Sequence, residues 1–335
     1  KEKFELYHFD TRINESVADM GKLKPAKLKT IAAQYQRFKK QLKTIKPHLV
    51  LIPISQTTAG FFKDAPFITM AHKSGAKVVI QLRGSAFRTW YDSGSAFRQM
   101  GVKRILRRVS AAIVLAPNLR PIFKDLIPDH NIFVVPNGAD YPFAEKAKNT
   151  KINLTYLANY LPGKGILEVI NALKILAQDR TLPPFEFHGY GHWDDPEYRR
   201  KCETAAGQLD NITLHGAITG TQKWEALARA DIFVFTPIAP EGHPWSIVEA
   251  TAAALPVVST PKGGISQNVI DGHNGFLINN LTPEILAQKL KILICDNALR
   301  QQMGQNSRKL YLNAFTAAAM TANLESVFNQ ILHTP

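Results

Sequence analysis

Residues Pro240 to Pro256 read PEGHPWSIVEATAAALP and follow a strand-like apolar run, Asp231 to Pro237 (DIFVFTP). Two carboxylates in it, Glu241 and Glu249, stand eight positions apart. Gly and Pro surround Glu241, so that acid belongs to a loop at the carboxyl end of the strand. Glu249 falls two turns into the apolar run that begins near Trp245, which predicts a helix. The small residues Ala250, Ala252, Ala253 and Ala254 let that helix pack close to a sheet. In an open parallel sheet ligands settle in the crevice outside the carboxyl ends of the strands, where a loop acid and a helix acid can both face them. Ionised carboxylates only accept hydrogen bonds, which suits them to sugar or ribose hydroxyls. Taken alone, the pair reads equally well as an exposed loop acid and a solvated helix acid.

The whole chain has 335 residues, 45% of them hydrophobic, which is long for one domain and comfortable for two. Cys202 and Cys295 are its only cysteines, without CxxC or Cys/His spacing. That excludes a disulfide framework or structural zinc and favours a reducing compartment. No run approaches eighteen apolar residues and no signal-like segment opens the chain. The expectation is a cytoplasmic protein, at most peripheral on the membrane face. The net charge of +14 is unevenly spread: residues 1–150 hold 26 Lys+Arg against 11 Asp+Glu, residues 151–335 hold 15 against 16. A basic half points to an anionic partner, whether a membrane surface, a nucleic acid or a phosphorylated acceptor.

Strand and helix patterns alternate along the chain. Phe4 to Phe9 (FELYHF) alternates as a strand, and Pro25 to Lys46 is a basic amphipathic helix with Leu28, Ile31, Tyr35, Phe38 and Leu42 at helical spacing. Strands are expected at His48–Ile54 and Lys77–Leu82, with a helix between them in the second half of residues 55–75. Arg83 ends the second strand. Phe97 to Val109 predicts a helix whose apolar side is Phe97, Met100, Ile105, Leu106 and Val109, with Arg98, Lys103, Arg104, Arg107 and Arg108 around it. That helix reads as a core helix with a solvated basic face, or as an attachment to an anionic bilayer. Two more strands, Ala111–Ala116 and Asn131–Val135, precede Pro136-Asn137-Gly138-Ala139-Asp140 and a polar linker near residues 145–150.

The second half restarts with the strand Lys151–Ala158, then Leu161-Pro162-Gly163-Lys164-Gly165 and a helix from Ile166. A glycine-bracketed lysine at a helix start can cradle a phosphate through free backbone N–H groups and one ammonium, although a plain strand-to-helix turn has the same pattern. It is not a Walker A loop, which needs GxxxxGK[ST]. Gly189-Tyr190-Gly191 after the strand Pro184–His188 is a turn that lets backbone approach a ligand. Asn211–His215 leads into Gly216-Ala217-Ile218. A strand at Val257–Thr260, glycines Gly263 and Gly264, a hairpin-like turn over Asp271–Ile278 and three closing helices complete the chain.

Glu241, Gly242, Glu249, Ala250, Pro256, Val257 and Val258, together with PNGAD, LPGKG, HGAI and DGHNGFLI in that order, resemble glycosyltransferase family 4. The resemblance is strong from about residue 131 onward and loose before. It implies an α/β GT-B fold: two Rossmann-like doubly wound domains facing across a cleft. Residues 1–145 would form the acceptor-side domain, 146–315 the nucleotide-sugar domain, and 316–335 a helix crossing back. The family's first strand and glycine loop have no counterpart here, so its first βα unit is expected to be missing.

The same resemblance implies a retaining hexosyltransferase-type enzyme of polysaccharide biosynthesis, passing a sugar from a UDP- or GDP-linked donor to a glycan or lipid-linked acceptor. No cofactor or metal is expected, and the sequence has no Asp-x-Asp. Catalytic roles fall to Glu241, Lys164 and Arg83. Donor contacts fall to Asn159, Gly163, Lys164, Gly189, Tyr190, Gly191, Ala217, Ile218, Glu241, Gly242, His243, Pro244, Trp245, Ser246 and Glu249. Two positions depart from the family: Asn159 where an Arg usually partners the lysine, and Arg83 where a His is common. Arginine does not deprotonate, so Arg83 fits an anion contact and not a general base. A non-catalytic nucleotide-sugar binder or partner subunit is the alternative, a pyridoxal-dependent phosphorylase another. No recognised nucleic-acid module supports the third, a nucleic-acid binder.

Overall fold

The computed structural model describes residues 4–11, 25–142, 146, 150–207 and 209–333, with side chains from residue 29 onward in the first helix. The side chain of Leu28 and most of the expected linker therefore lie outside the described residues. The chain divides into two compact units, Lys1–Val135 with Thr321–Pro335, and Pro136–Met320.

The first unit runs α1 (Pro25–Ile45), β1 (Leu49–Ile54), α2 (Thr58–Lys73), β2 (Lys77–Leu82), α3 (Phe87–Asp92), α4 (Ala96–Leu106), β3 (Ala111–Val114) and β4 (Ile132–Val134). Its four strands are parallel in the order β1-β2-β3-β4. Val78, Val79, Ile80 and all of β3 are buried, as unbroken apolar runs of a parallel sheet covered by helices must be. Helix α2 begins earlier than its pattern suggests because the Thr57 side chain accepts from Gly60 N and supplies a cap.

Two expectations fail in this unit. Phe4–Phe9 forms no strand; Leu6 and Tyr7 are exposed, while the Phe9 ring lies 5.2 Å from that of Phe38 and 6.1 Å from that of Phe67. The Phe4 ring packs edge-on against Phe328 at 5.8 Å, so the segment is held by the rings at its two ends and not by a sheet partner. In α4 the buried residues are Val102 and Leu106, and Phe97 and Met100 face outward. Arg98, expected on the charged side, instead bonds back to Trp90 O and Ser93 Oγ.

The second unit runs β5 (Ile152–Leu157), α5 (Ile166–Ala177), β6 (Phe185–Tyr190), α6 (Pro196–Ala206), β7 (Ile212–His215), α7 (Thr221–Arg229), β8 (Ile232–Phe235), α8 (Trp245–Ala252), β9 (Val257–Ser259), α9 (Ile265–Asn268), β10 (Gly275–Leu277), α10 (Pro283–Cys295), α11 (Asn297–Ala314) and α12 (Ala317–His333). From Thr321 on, α12 counts with the first unit. All six strands are parallel in the order β10-β9-β8-β5-β6-β7. The chain thus winds outward from β5 to β7, then returns to the other side of β5 and winds outward again. In α5, Ile166, Val169, Ile170, Leu173 and Leu176 recur at helical spacing and are all buried. Each such side chain contributes about 1.5–3 kcal/mol of burial, so the start of α5 is held firmly against the sheet. The expected turn over Asp271–Ile278 is present, closed by Gly272 N donating to Gly275 O at 2.9 Å, and it leads into an edge strand parallel to β9, so close that a Cβ on Gly275 would lie 1.9 Å from Val257 O.

Candidate functional site

Strand order reverses between β5 and β8, which are hydrogen-bonded neighbours whose following helices leave in opposite directions along the sheet. The loops that leave their carboxyl ends border the crevice that such a reversal opens. Those loops carry Lys164 and Glu241.

After β5, Leu161 precedes a single 3-10 turn, Pro162–Lys164, and Gly165 takes a left-handed conformation (φ +80°) directly before α5. A Cβ on Gly165 would stand 2.0 Å from Thr236 O, so only glycine fits. No side chain caps α5 there, which leaves its first N–H groups for an outside acceptor. The Gly163 carbonyl accepts from both Ile238 N (3.0 Å) and Ala239 N (3.1 Å), stitching this loop to the one after β8. Across the stitch Lys164 Nζ meets Glu241 Oε1 at 2.5 Å. Lys164 keeps partial exposure and Glu241 is almost covered.

The Glu241 loop rests on the glycines after β9. Gly263 (φ +56°) would put a Cβ 1.7 Å from Glu241 O, and Gly264 N donates to Gly242 O at 2.5 Å. These glycines shape the backbone beneath Glu241-Gly242. His243 is buried with its ring 5.3 Å from that of Phe315, and neither ring nitrogen has a hydrogen-bond partner. Burial pushes its pKa down from 6.5 to about 4, the nearby Asn268 amide opposing, so the ring is neutral. Its backbone carbonyl accepts from Asn137 Nδ2 at 2.7 Å. Asn137 belongs to the turn that the sequence had marked only as a boundary. Pro244 opens α8, Trp245 is exposed and Ser246 partly so.

Glu249 lies one turn short of the end of α8, is 4% exposed, and binds Lys223 of α7 at 2.7 Å. Burial raises the Glu249 pKa, and the hydrogen bond and charge of Lys223 act against that rise. The two acids therefore sit with two different lysines. Lys164 is brought to Glu241, whereas Glu249 is held by a cation that the sequence reading missed. Nothing local marks Lys223: it stands 26 residues from its partner, on a short helix whose apolar pattern is carried by other positions.

At the ends of β6 and β7 the environment is aromatic. The ring of Tyr190 stacks on His215 at 4.6 Å and 10°, and Tyr160 donates to His215 O at 3.0 Å. His215 Nε2 and His188 Nδ1 are 3.0 Å apart; burial first and then His188 lower the His215 pKa. Gly189 and Gly191 are tight: a Cβ on Gly191 would lie 2.2 Å from Ala158 O. Asn159 and Ala217 are exposed and Ile218 partly so. Arg83 is exposed at the end of β2, in the first unit.

A six-stranded parallel sheet with a lysine-carboxylate pair and a glycine-tight helix start at its reversal point defines a doubly wound α/β unit. Residues 139–310 match the family described as glycosyl transferases group 1. The chain belongs to that family. It is 27% identical over 191 residues to the capsular polysaccharide biosynthesis glycosyltransferase CapM of Staphylococcus aureus, covering 56% of this chain and 48% of that protein. The chain spans about half the length of the curated relatives it matches. Among solved structures it resembles sucrose-phosphate synthase of Thermosynechococcus elongatus (TM-score 0.73, 17% identity, 92% of this chain and 80% of that one). It also resembles HepE of Anabaena in complex with UDP and glucose (TM-score 0.72, 18% identity, 90% and 81%). The fold is GT-B, built of two Rossmann-like parallel-sheet units.

Proposed function

We propose that the protein transfers a hexosyl group from a nucleotide-diphospho-sugar to a glycan or lipid-linked acceptor, with retention at the anomeric carbon and without a metal ion. The observation that carries this reading is the Lys164–Glu241 pair at the strand reversal, beside the uncapped start of α5. As the bond between the sugar and the diphosphate breaks, its electron pair stays on the phosphate oxygen. A fixed ammonium and oriented N–H groups at that spot stabilise the growing charge without reorganising. Lys164 supplies the ammonium, and Gly163 and Gly165 let the backbone come close. Glu241 accepts from the sugar hydroxyls, with Gly242, His243, Pro244, Trp245 and Ser246 shaping that wall through the main chain. Glu249 accepts from the ribose and shares its carboxylate with Lys223 in doing so. Tyr190, between Gly189 and Gly191, and the Ala217-Ile218 segment border the nucleobase, and Asn159 stands near the diphosphate.

Arg83 is assigned to a phosphate or acceptor anion. Because Lys164 answers the diphosphate charge, the scheme asks no cation of the solvent. The names of a capsule-biosynthesis relative and of a neighbour solved with UDP and glucose make a uridine donor the first to test, and a role in polysaccharide assembly is the reading they support.

The test is a thermal-shift panel of UDP, GDP, ADP and their common sugar conjugates against the parent chain. Selective stabilisation by one nucleotide, increased by its sugar conjugate, supports the reading. No shift with any of them at millimolar ligand sinks it.

A further inference from the structure

Helix α4 exposes Phe97, Met100, Lys103, Arg104 and Arg107, and their spacing of three and four residues sets them along one face. Val102 and Leu106 face the other way and are buried. Phe97 is 82% exposed and Met100 62%, far beyond what a core helix leaves in water. Phe62 of α2, also exposed, widens the apolar end: a Cβ on Gly101 would lie 3.3 Å from its ring.

Charge on the same face is one-sided. Between Asp92 and Asp125 the sequence has no acidic residue. Arg98 is turned to Trp90 O and Thr58, and Arg108 to Arg104 O. Lys103, Arg104 and Arg107 have no ion-pair partner among the described residues. No helix among those residues is long and apolar enough to cross a membrane, so α4 can meet one only by lying on it.

We propose that α4 docks on an anionic lipid surface, Phe97 and Met100 entering the acyl boundary and Lys103, Arg104 and Arg107 resting on the headgroups. Both halves of the face are then used: anionic headgroups answer the cations, and acyl chains cover the apolar tips. A polyanion such as nucleic acid would meet the cations and leave the apolar tips in water.

The test is co-sedimentation of the full chain with vesicles of phosphatidylcholine alone and of phosphatidylcholine mixed with phosphatidylglycerol. The parent is expected to bind the mixed vesicles and not the neutral ones. K103Q/R104Q/R107Q should weaken that binding on the order of a hundredfold, at roughly fivefold per charge. F97S/M100S should weaken it about tenfold or more even at low salt. All five side chains are exposed, so circular dichroism and melting temperature should match the parent. In Phe97→Trp the added emission should shift to the blue on mixed vesicles only. Equal binding to both vesicle types, or F97S/M100S binding like the parent, would overturn the proposal. So would duplex DNA binding more tightly than the vesicles and being lost in the same cationic variant.

Discussion

Replacing Lys223 by methionine removes the only ammonium hydrogen-bonded to Glu249 among the described residues. The carboxylate left behind is 4% exposed and its pKa is already raised by burial, so it must either ionise unpaired or take up a proton. Breaking a buried pair by deleting one partner costs about 3–5 kcal/mol. Lys223 keeps partial solvent contact, which puts the expected loss at the low end, about 3 kcal/mol. Because the cost is that of the orphaned charge and not of the methionine, K223M/E249Q should recover to within about 1 kcal/mol of the parent. Denaturant unfolding of the parent, both single variants and the double variant closes the cycle, and calorimetric titration with UDP adds a second reading. K223M should weaken UDP binding less than E249Q does, since the carboxylate remains. If K223M is as stable as the parent, or if the two losses simply add, the pair is not the coupled unit described.

Three further outcomes follow from single positions. The folded pKa of His243 is about 4 and lies below the unfolded 6.5, so the unfolded chain binds the extra proton; stability is fully present above pH 6.5 and falls toward pH 4 by about 3 kcal/mol. His243→Phe should flatten that acid limb in pH-dependent denaturation, and an unchanged limb would refute the assignment. Lys146 donates to Ala230 O at 2.9 Å and burial lowers its pKa to about 8 from 10.5. The unfolded chain again holds more protons, so its share of stability rises with pH above about 8; the residue keeps solvent exposure, so the slope is shallow, and the parent-minus-Lys146→Met difference should show its sign. Gly165→Ala should cost at least about 2 kcal/mol by strain at positive φ and by collision with Thr236 O, and should depress UDP binding together with stability.

The strands and helices of the second unit were legible because their signals are local. Apolar runs gave β8 and β9, the alternation of Ile152, Leu154 and Tyr156 gave β5, and the spacing of Ile166, Val169, Ile170 and Leu173 gave α5. The place of Glu241 at a strand end was legible for the same reason. Three features were not. Phe97 and Met100 face water while Val102 and Leu106 are buried, because helical periodicity cannot say which of two apolar stripes wins the core. The Phe4–Phe9 pattern alternates without a ladder because rings packed at its two ends, Phe4 on Phe328 and Phe9 on Phe38, anchor the segment without a neighbouring strand. Lys223 escaped because a contact across 26 residues between two helices leaves no trace in either helix's pattern.

The central claim is that Lys164 and Glu241 hold an activated sugar at the strand reversal. Isothermal titration of UDP and its sugar conjugates into the parent, Lys164→Ala and Glu241→Gln tests it most directly. Loss of one charge-assisted contact of about 1.5–3 kcal/mol should weaken diphosphate binding by roughly tenfold to a hundredfold in Lys164→Ala. Glu241→Gln should keep its affinity for UDP and lose the added affinity for the sugar conjugate. Identical isotherms for all three proteins, or no heat of binding in the parent, would contradict the account.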